Sequence, residues 1–205
     1  LNDERDVNTS NSKNVYFKVI SNLESNYNAQ LLKLILDFEH IVDLKSGKVS
    51  QTRLVELVKK NSALTIIKTF SQQLVCNKNI SINYLVNIVF NAIQSTIGKA
   101  LFNKKTSQLC MDSVKNAFLN LASQSPSSGI TYYEISTNRT SYRYNILTVI
   151  QQKTFLTIVP ISLDVSIEKN KKEIFQLEEL DMIRCTVDIS LTKIIALIDT
   201  LKPLN

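Results

Sequence analysis

One histidine, His40, occurs in 205 residues, so any His general base, His-activated nucleophile or His-metal site must use it. It falls near the end of a segment with helical spacing, where a lone histidine commonly complements the helix dipole or faces water. The glycines, Gly47, Gly98 and Gly129, lie too far apart for a Gly-rich phosphate loop. Cys76, Cys110 and Cys185 contain no C-x-x-C, so a metal site is not expected and at most one disulfide can form. Glu178 and Glu179 are adjacent carboxylates, but nothing singles out a pair placed for glycoside hydrolysis. No enzyme, cofactor or metal is expected from these residue types.

Binding chemistry is better represented. The formal net charge of +6 favours anionic partners, either nucleic acid or a phospholipid surface. Tyr132, Tyr133, Tyr142, Arg143 and Tyr144 interleave aromatic and basic groups as a single-strand stacking platform would. Tyrosines equally suit strands that straddle core and surface, and arginine occurs only five times, so nucleic acid is not the expected partner. The densest lysine region runs from Lys45 to Lys60.

The elements that must position these residues divide into helices first and strands after. Residues 1–14 are polar and turn-rich and read as a loose N-terminal segment before one domain spanning 15–205. Val15 to Ile20 is strand-like. Tyr27, Leu31, Leu34, Ile35, Phe38, Ile41 and Val42 recur at helical spacing. Ser50 is placed to cap a second helix carrying Leu54, Leu57 and Val58, with a Gly47 turn between the two. Leu64 to Cys76 changes to strand-like alternation.

Asn79 to Gly98 is a twenty-residue run without a charge. Leu85, Val86, Val89, Ile93 and Ile97 keep helical spacing, with Phe90 widening the apolar face. Asn83, Asn87, Asn91, Gln94 and Gly98 fall within about 80° of arc. Too few of its residues are strongly apolar for a constitutive transmembrane helix, which wants about 20. Thr106 to Ser123 predicts a further helix, and the Ser123–Gly129 stretch breaks the chain. Thereafter the period becomes two: Phe155, Val159, Ile161, Leu163, Val165 and Ile167 share one parity, and Ile183 to Leu191 repeats the pattern. Tyr142 to Ile150 and Ile174 to Leu177 are weaker strand candidates, with Glu168 to Lys172 as a hairpin. The predicted architecture is α+β: a central antiparallel sheet of long strands flanked by helical hairpins.

Asn138, Thr140, Tyr142, Tyr144, Asn145, Ile146 and Leu147, followed by Val159, Pro160, Ile161, Asp164 and Val165, form a distinctive strand pair. It resembles the Cyt-type cytolytic δ-endotoxins, insecticidal crystal toxins whose relatives include fungal volvatoxin. Thr65 to Phe70 and Val114 to Gln124 resemble that family's corresponding pieces in the right order, so the likeness covers roughly 27–201. It implies a single domain with a sheet covered by helical hairpins on both faces. It also implies a toxin, released in soluble or crystalline form and trimmed at its termini by proteases, that binds phospholipid and permeabilises the target-cell bilayer, with a homo-oligomer on the membrane. Leu201 lies about where a trimmed form stops.

The residues expected to enter the membrane are Leu85, Val86, Val89, Phe90, Ile93 and Ile97 of the uncharged helix, and Phe155, Val159, Ile161, Leu163, Val165 and Ile167 of the long strand. Lys45, Lys48, Lys59, Lys60, Tyr132 and Tyr133 are the headgroup-contact candidates. The family's Trp-rich strand is replaced here by Ile130 to Ser136, and the chain has no Trp. That departure supports a second reading, a Cyt-like fold kept as a non-lytic binding, storage or crystal-forming protein.

Overall fold

The computed structural model describes residues 16–77, 82–99, 102–123, 129–136, 139–169 and 182–201. The proposed N-terminal segment, most of the Glu168–Lys172 hairpin and the Ile174–Leu177 strand lie outside them.

Three long strands make the centre of the sheet: β4 (Arg139–Gln152), β5 (Phe155–Lys169) and β6 (Met182–Leu197), all antiparallel. The β4–β5 connection is tight and places Lys153 at φ 55°. The β5–β6 register runs to Ile158↔Ile194 and resumes at Ile161↔Leu191, stepping over Pro160, which has no amide hydrogen to give. Outside β6 lies β2 (Thr65–Asn77), an antiparallel edge strand. The other edge of β4 is shared. β3 (Ile130–Ile135) pairs antiparallel along Thr140–Tyr144, and β1 (Lys18–Ser21) pairs parallel along Ile146–Val149. Periodicity gives an antiparallel sheet. The parallel β1 is an addition made possible by the long crossover through all four helices.

Each face of the sheet carries one helical pair. α1 (Asn28–Glu39) buries Leu31, Leu34, Ile35 and Phe38, and α2 (Gln51–Lys60) buries Leu54. Ser50 caps α2 as its sequence position predicts, its hydroxyl accepting from the Arg53 amide at 3.3 Å. These helices sit with Phe17, Leu147, Val149, Leu156, Ile158, Ile194 and Ala196 in one core. α3 (Ile82–Ile97) and α4 (Lys104–Ser123) cover the opposite face. Asn103 starts α4 by accepting the Thr106 amide at 2.8 Å. Phe90 meets Phe102 edge-on at 6.2 Å between ring centroids, and Phe118 meets Tyr142 likewise at 6.3 Å.

The coverage of the two faces differs. Tyr142, Tyr144, Ile146, Val159, Ile161, Leu163, Val165, Ile167, Cys185, Val187, Ile189 and Leu191 form one apolar surface beneath α3 and α4. On the reverse face apolar residues stop halfway. Leu147 gives way to Asn145 and Arg143 on β4; Ile158 and Pro160 to Ser162 and Asp164 on β5; Ile194 to Thr192 and Ser190 on β6. These switches align because Asn145, Ser162 and Ser190 are register partners.

Candidate functional site

The residues expected to enter a membrane fall, with one exception, in a single interface. Leu85, Val86, Val89, Phe90, Ile93 and Ile97 are buried on α3, and Val159, Ile161, Leu163, Val165 and Ile167 are buried on β5 in the same cluster. The exception is Phe155, which opens β5 and is 50% exposed. Asn83, Asn87 and Asn91 are exposed, so the uncharged helix has one wet edge and a broad dry face. At about 1.5–3 kcal/mol per buried large apolar side chain, the six α3 residues hold it in the cluster it shares with α4 and the sheet by on the order of 10 kcal/mol, an upper value. Lys193 of β6 adds a polar tie: its Nζ donates to the Ile97 carbonyl at 3.0 Å, satisfying the last turn of α3. Among the described residues, no helix is long and apolar enough to cross a membrane.

The headgroup candidates are spread over three elements. Lys45 and Lys48 lie in the α1–α2 turn, Lys59 and Lys60 in the last turn of α2, and Tyr132 and Tyr133 in β3, opposite Arg143 and Tyr142. Lys45, Lys59 and Lys60 are exposed. Lys48 already has a partner, Asp164, at 3.1 Å.

That ion pair belongs to a lock. The α1–α2 turn closes through Gly47 N–H donating to the Asp43 carbonyl at 2.7 Å. The Asp43 carboxylate accepts the amides of Lys45 at 2.8 Å and Ser46 at 3.1 Å. Its pKa is held below the usual aspartate value, first by the Ser46 hydrogen bond and then by that of Lys45. The Gly47 carbonyl accepts from the Thr131 hydroxyl at 2.6 Å and from Asn145 Nδ2 at 3.0 Å. Arg143 donates to the Ser46 carbonyl and lies 3.6 Å from Asp164. Asn145 is fully buried; its Oδ1 accepts from Ser162 at 2.9 Å, and its amide donates to the Gly129 carbonyl at 2.8 Å. Gly47, at φ 71°, cannot be replaced without conflict, since a Cβ there would sit 2.6 Å from Thr131 Oγ1. Arg143, Asn145 and Asp164, which lie within the distinctive strand pair, thus fasten one helical hairpin to the sheet.

Beyond the lock the reverse face is a charged, open ladder. Arg139, Glu168 and Arg184 form one rung; Ser141, Ser166 and Thr186 the next; Arg143, Asp164 and Asp188 the third. They line a basin of about 520 Å³ with Gln73 and Glu134 at its margins. Two carboxylates side by side on one rung repel. Asp164 is compensated by Lys48 and Arg143, and Asp188 accepts from Gln73 Nε2 at 2.8 Å. Arg139 Nε donates to Ser166 at 2.7 Å. The lock and ladder were not among the candidates read from the sequence. Their signal is the aligned switch from polar to apolar on one parity of three consecutive strands.

His40 is the exposed C-cap of α1. Among the described residues no cluster of His, Cys, Asp or Glu is arranged to hold a metal.

Comparison with known proteins accounts for this architecture. The type-2Bb cytolytic delta-endotoxin of Bacillus thuringiensis subsp. jegathesan is 22% identical over 187 residues, covering 90% of this chain and 71% of that protein. The type-2Ba cytolytic delta-endotoxin of subsp. israelensis is 21% identical over the same shares. The crystal structure of an activated Cyt2Ba monomer from subsp. israelensis superposes with a TM-score of 0.76 at 21% identity, covering 90% of this chain and 99% of that one. A second solved delta-endotoxin gives a TM-score of 0.74 at 22% identity, covering 93% and 88%. The pattern of the family described as Bacillus thuringiensis toxin matches residues 5–204. The chain therefore belongs to the Bacillus thuringiensis toxin family, with the α+β fold of the cytolytic delta-endotoxins.

Proposed function

We propose that this chain is a membrane-active cytolytic toxin that binds phospholipid and permeabilises the bilayer, released in soluble or crystalline form and active at the target-cell membrane. The observation that carries this reading is the pairing of two apolar surfaces, α3 and the sheet beneath it, over the stretch where the reverse face is polar and open. In water the two surfaces cover each other. At a bilayer, acyl chains replace that cover, so separating them no longer exposes apolar area to water. The exposed lysines and the +6 charge bring the chain to headgroups. α3 carries no charge, and a charge at bilayer depth costs about 2.5–3.5 kcal/mol or more.

The strands then have the two faces of a membrane wall. β4, β5 and β6 have 14, 15 and 16 residues, and a tilted membrane strand needs about 9–11. Their α3-facing side would meet lipid, and the Arg–Glu–Asp ladder would meet water, in a homo-oligomer assembled on the membrane. Permeabilisation needs no cofactor and no catalytic group in this reading.

Dye release from phosphatidylcholine vesicles, with and without anionic lipid, run beside flotation, tests it. Release at submicromolar protein is the expected result. Flotation without release would transfer the function to the non-lytic reading, which the absence of Trp favours. Neither binding nor release would overturn both membrane readings.

A further inference from the structure

β2 is the outermost strand on its side of the sheet and is largely exposed along its length. Near its end Cys76 stands directly opposite Cys185 of β6 in the antiparallel register. Both side chains join the face beneath α3 and α4: Cys185 is buried in that cluster and Cys76 is half-buried against it. Both thiols are free. Directly opposed residues in an antiparallel pair have Cα atoms about 4.5–5.5 Å apart. A disulfide needs a Cα separation of about 4.4–6.8 Å. The ladder therefore already holds the two backbones at bonding range, with both side chains on one face, and closure asks only for side-chain rotation and a small local shift. Cys110 is on α4 and has no such counterpart in register.

We propose that Cys76 and Cys185 are a redox pair that closes a cross-strand disulfide on meeting a low-molecular-weight disulfide, stapling the edge strand β2 to β6. Cys76, the more exposed thiol, gives its proton to water. Its sulfur attacks one sulfur of the reagent and expels the other half as a thiolate. Cys185 then loses its proton, attacks the Cys76 sulfur of the mixed disulfide and releases the second reagent thiol. Two protein thiols are oxidised and one reagent disulfide is reduced to two thiols.

Burial raises the pKa of both groups, that of Cys185 to about 12, so the exchange is slow at neutral pH and quickens as pH rises. The bond closes a large ring, which favours the folded state. It also fixes the chain six positions before Ile82, where α3 begins. The staple therefore anchors the point from which the α3–α4 pair leaves the sheet, without tying the pair itself down. The inference rests on the strand register and stands whether or not the chain is lytic.

The test uses the Cys110→Ser chain, folded and incubated with oxidised glutathione at mildly alkaline pH. The expected product has lost two hydrogens by intact mass, shows no reactive thiol after unfolding, and yields one peptide pair joining Cys76 to Cys185. Reductant should restore both thiols. The oxidised form should unfold at higher urea and exchange its β2 amides more slowly. Two thiols remaining, a glutathione adduct persisting on Cys76, or only chain-to-chain bonds would each overturn the proposal. If Cys110→Ser does not fold, the same map on the unaltered chain serves, with Cys110 expected as the one thiol left free and any bond to Cys110 counting against the pair.

Discussion

The α1–α2 pair and the α3–α4 pair cover opposite faces of one sheet; both bury apolar residues against it, and the α1–α2 turn carries a polar lock besides. The turn of α1–α2 is bound through Thr131, Asn145 and Asp164 at 2.6–3.1 Å, and Arg143 donates to its Ser46 carbonyl. α3 is held by a stripe of Leu, Val, Ile and Phe against Val, Ile and Leu of the strands, with Lys193 on its last carbonyl. Directional contacts are lost when a group moves away, and the hydrocarbon core of a bilayer offers nothing to replace them. Apolar contacts are non-directional, and acyl chains offer an equivalent surface. One hairpin is thus matched to staying and the other to changing partners.

Substitutions can break each side of that contrast separately. Truncating Ile93→Ala removes a fully buried α3 side chain and should cost about 2–5 kcal/mol in denaturant unfolding. A loss below about 1 kcal/mol would mean that α3 is not held by apolar packing. On the wet edge of the same helix, Asn87→Lys should leave stability within about 0.5 kcal/mol, because the position is exposed. If α3 enters the bilayer, its vesicle dye release should nonetheless fall by roughly tenfold or more. Unchanged release would leave the strands alone as the inserting element.

In the lock, Asn145→Ala leaves the Gly47 carbonyl without one donor and the Ser162 hydroxyl without its acceptor, for an expected cost of about 1–3 kcal/mol. Site-resolved hydrogen exchange should show residues 41–50 opening first, with α3 and α4 unchanged. Equal loosening of both pairs would mean that the lock does not hold α1–α2 independently of α3–α4.

The smallest effect concerns acid. Asp43's folded pKa is lowered by its amide donors, so its contribution is present above the unfolded aspartate value and is lost as pH falls through the folded one. Asp43→Asn should flatten that acid-side slope of the stability–pH curve while leaving the neutral and alkaline sides alone.

Much of this was readable from residue types. The Gly47 turn with its Ser50 cap, a strand read at 64–76 and found at 65–77, the dry face of α3 and the alternation in β5 and β6 follow from local spacing. Such features depend on neighbours within one or two turns. What could not be read depends on distant pairing. Asn145 meets Gly47 across 98 positions and Arg143 meets Ser46 across 97. Nothing local marks Lys18–Ser21 as a parallel partner for β4 rather than another antiparallel one. The half-polar, half-apolar reverse face was visible as sequence, but its meaning needed the register that lines up Asn145, Ser162 and Ser190.

Because the chain contains no Trp, a single introduced indole reports its own surroundings without background. Two chains, Ile88→Trp on half-buried α3 and Leu57→Trp on half-buried α2, would be mixed with vesicles containing brominated phosphatidylcholine. Strong quenching and a blue shift are expected for the α3 probe, together with dye release, while the α2 probe stays close to its emission in buffer. Release with both probes unquenched, or with both quenched equally, would contradict the claim that α3–α4 exchanges the sheet for lipid while α1–α2 remains locked.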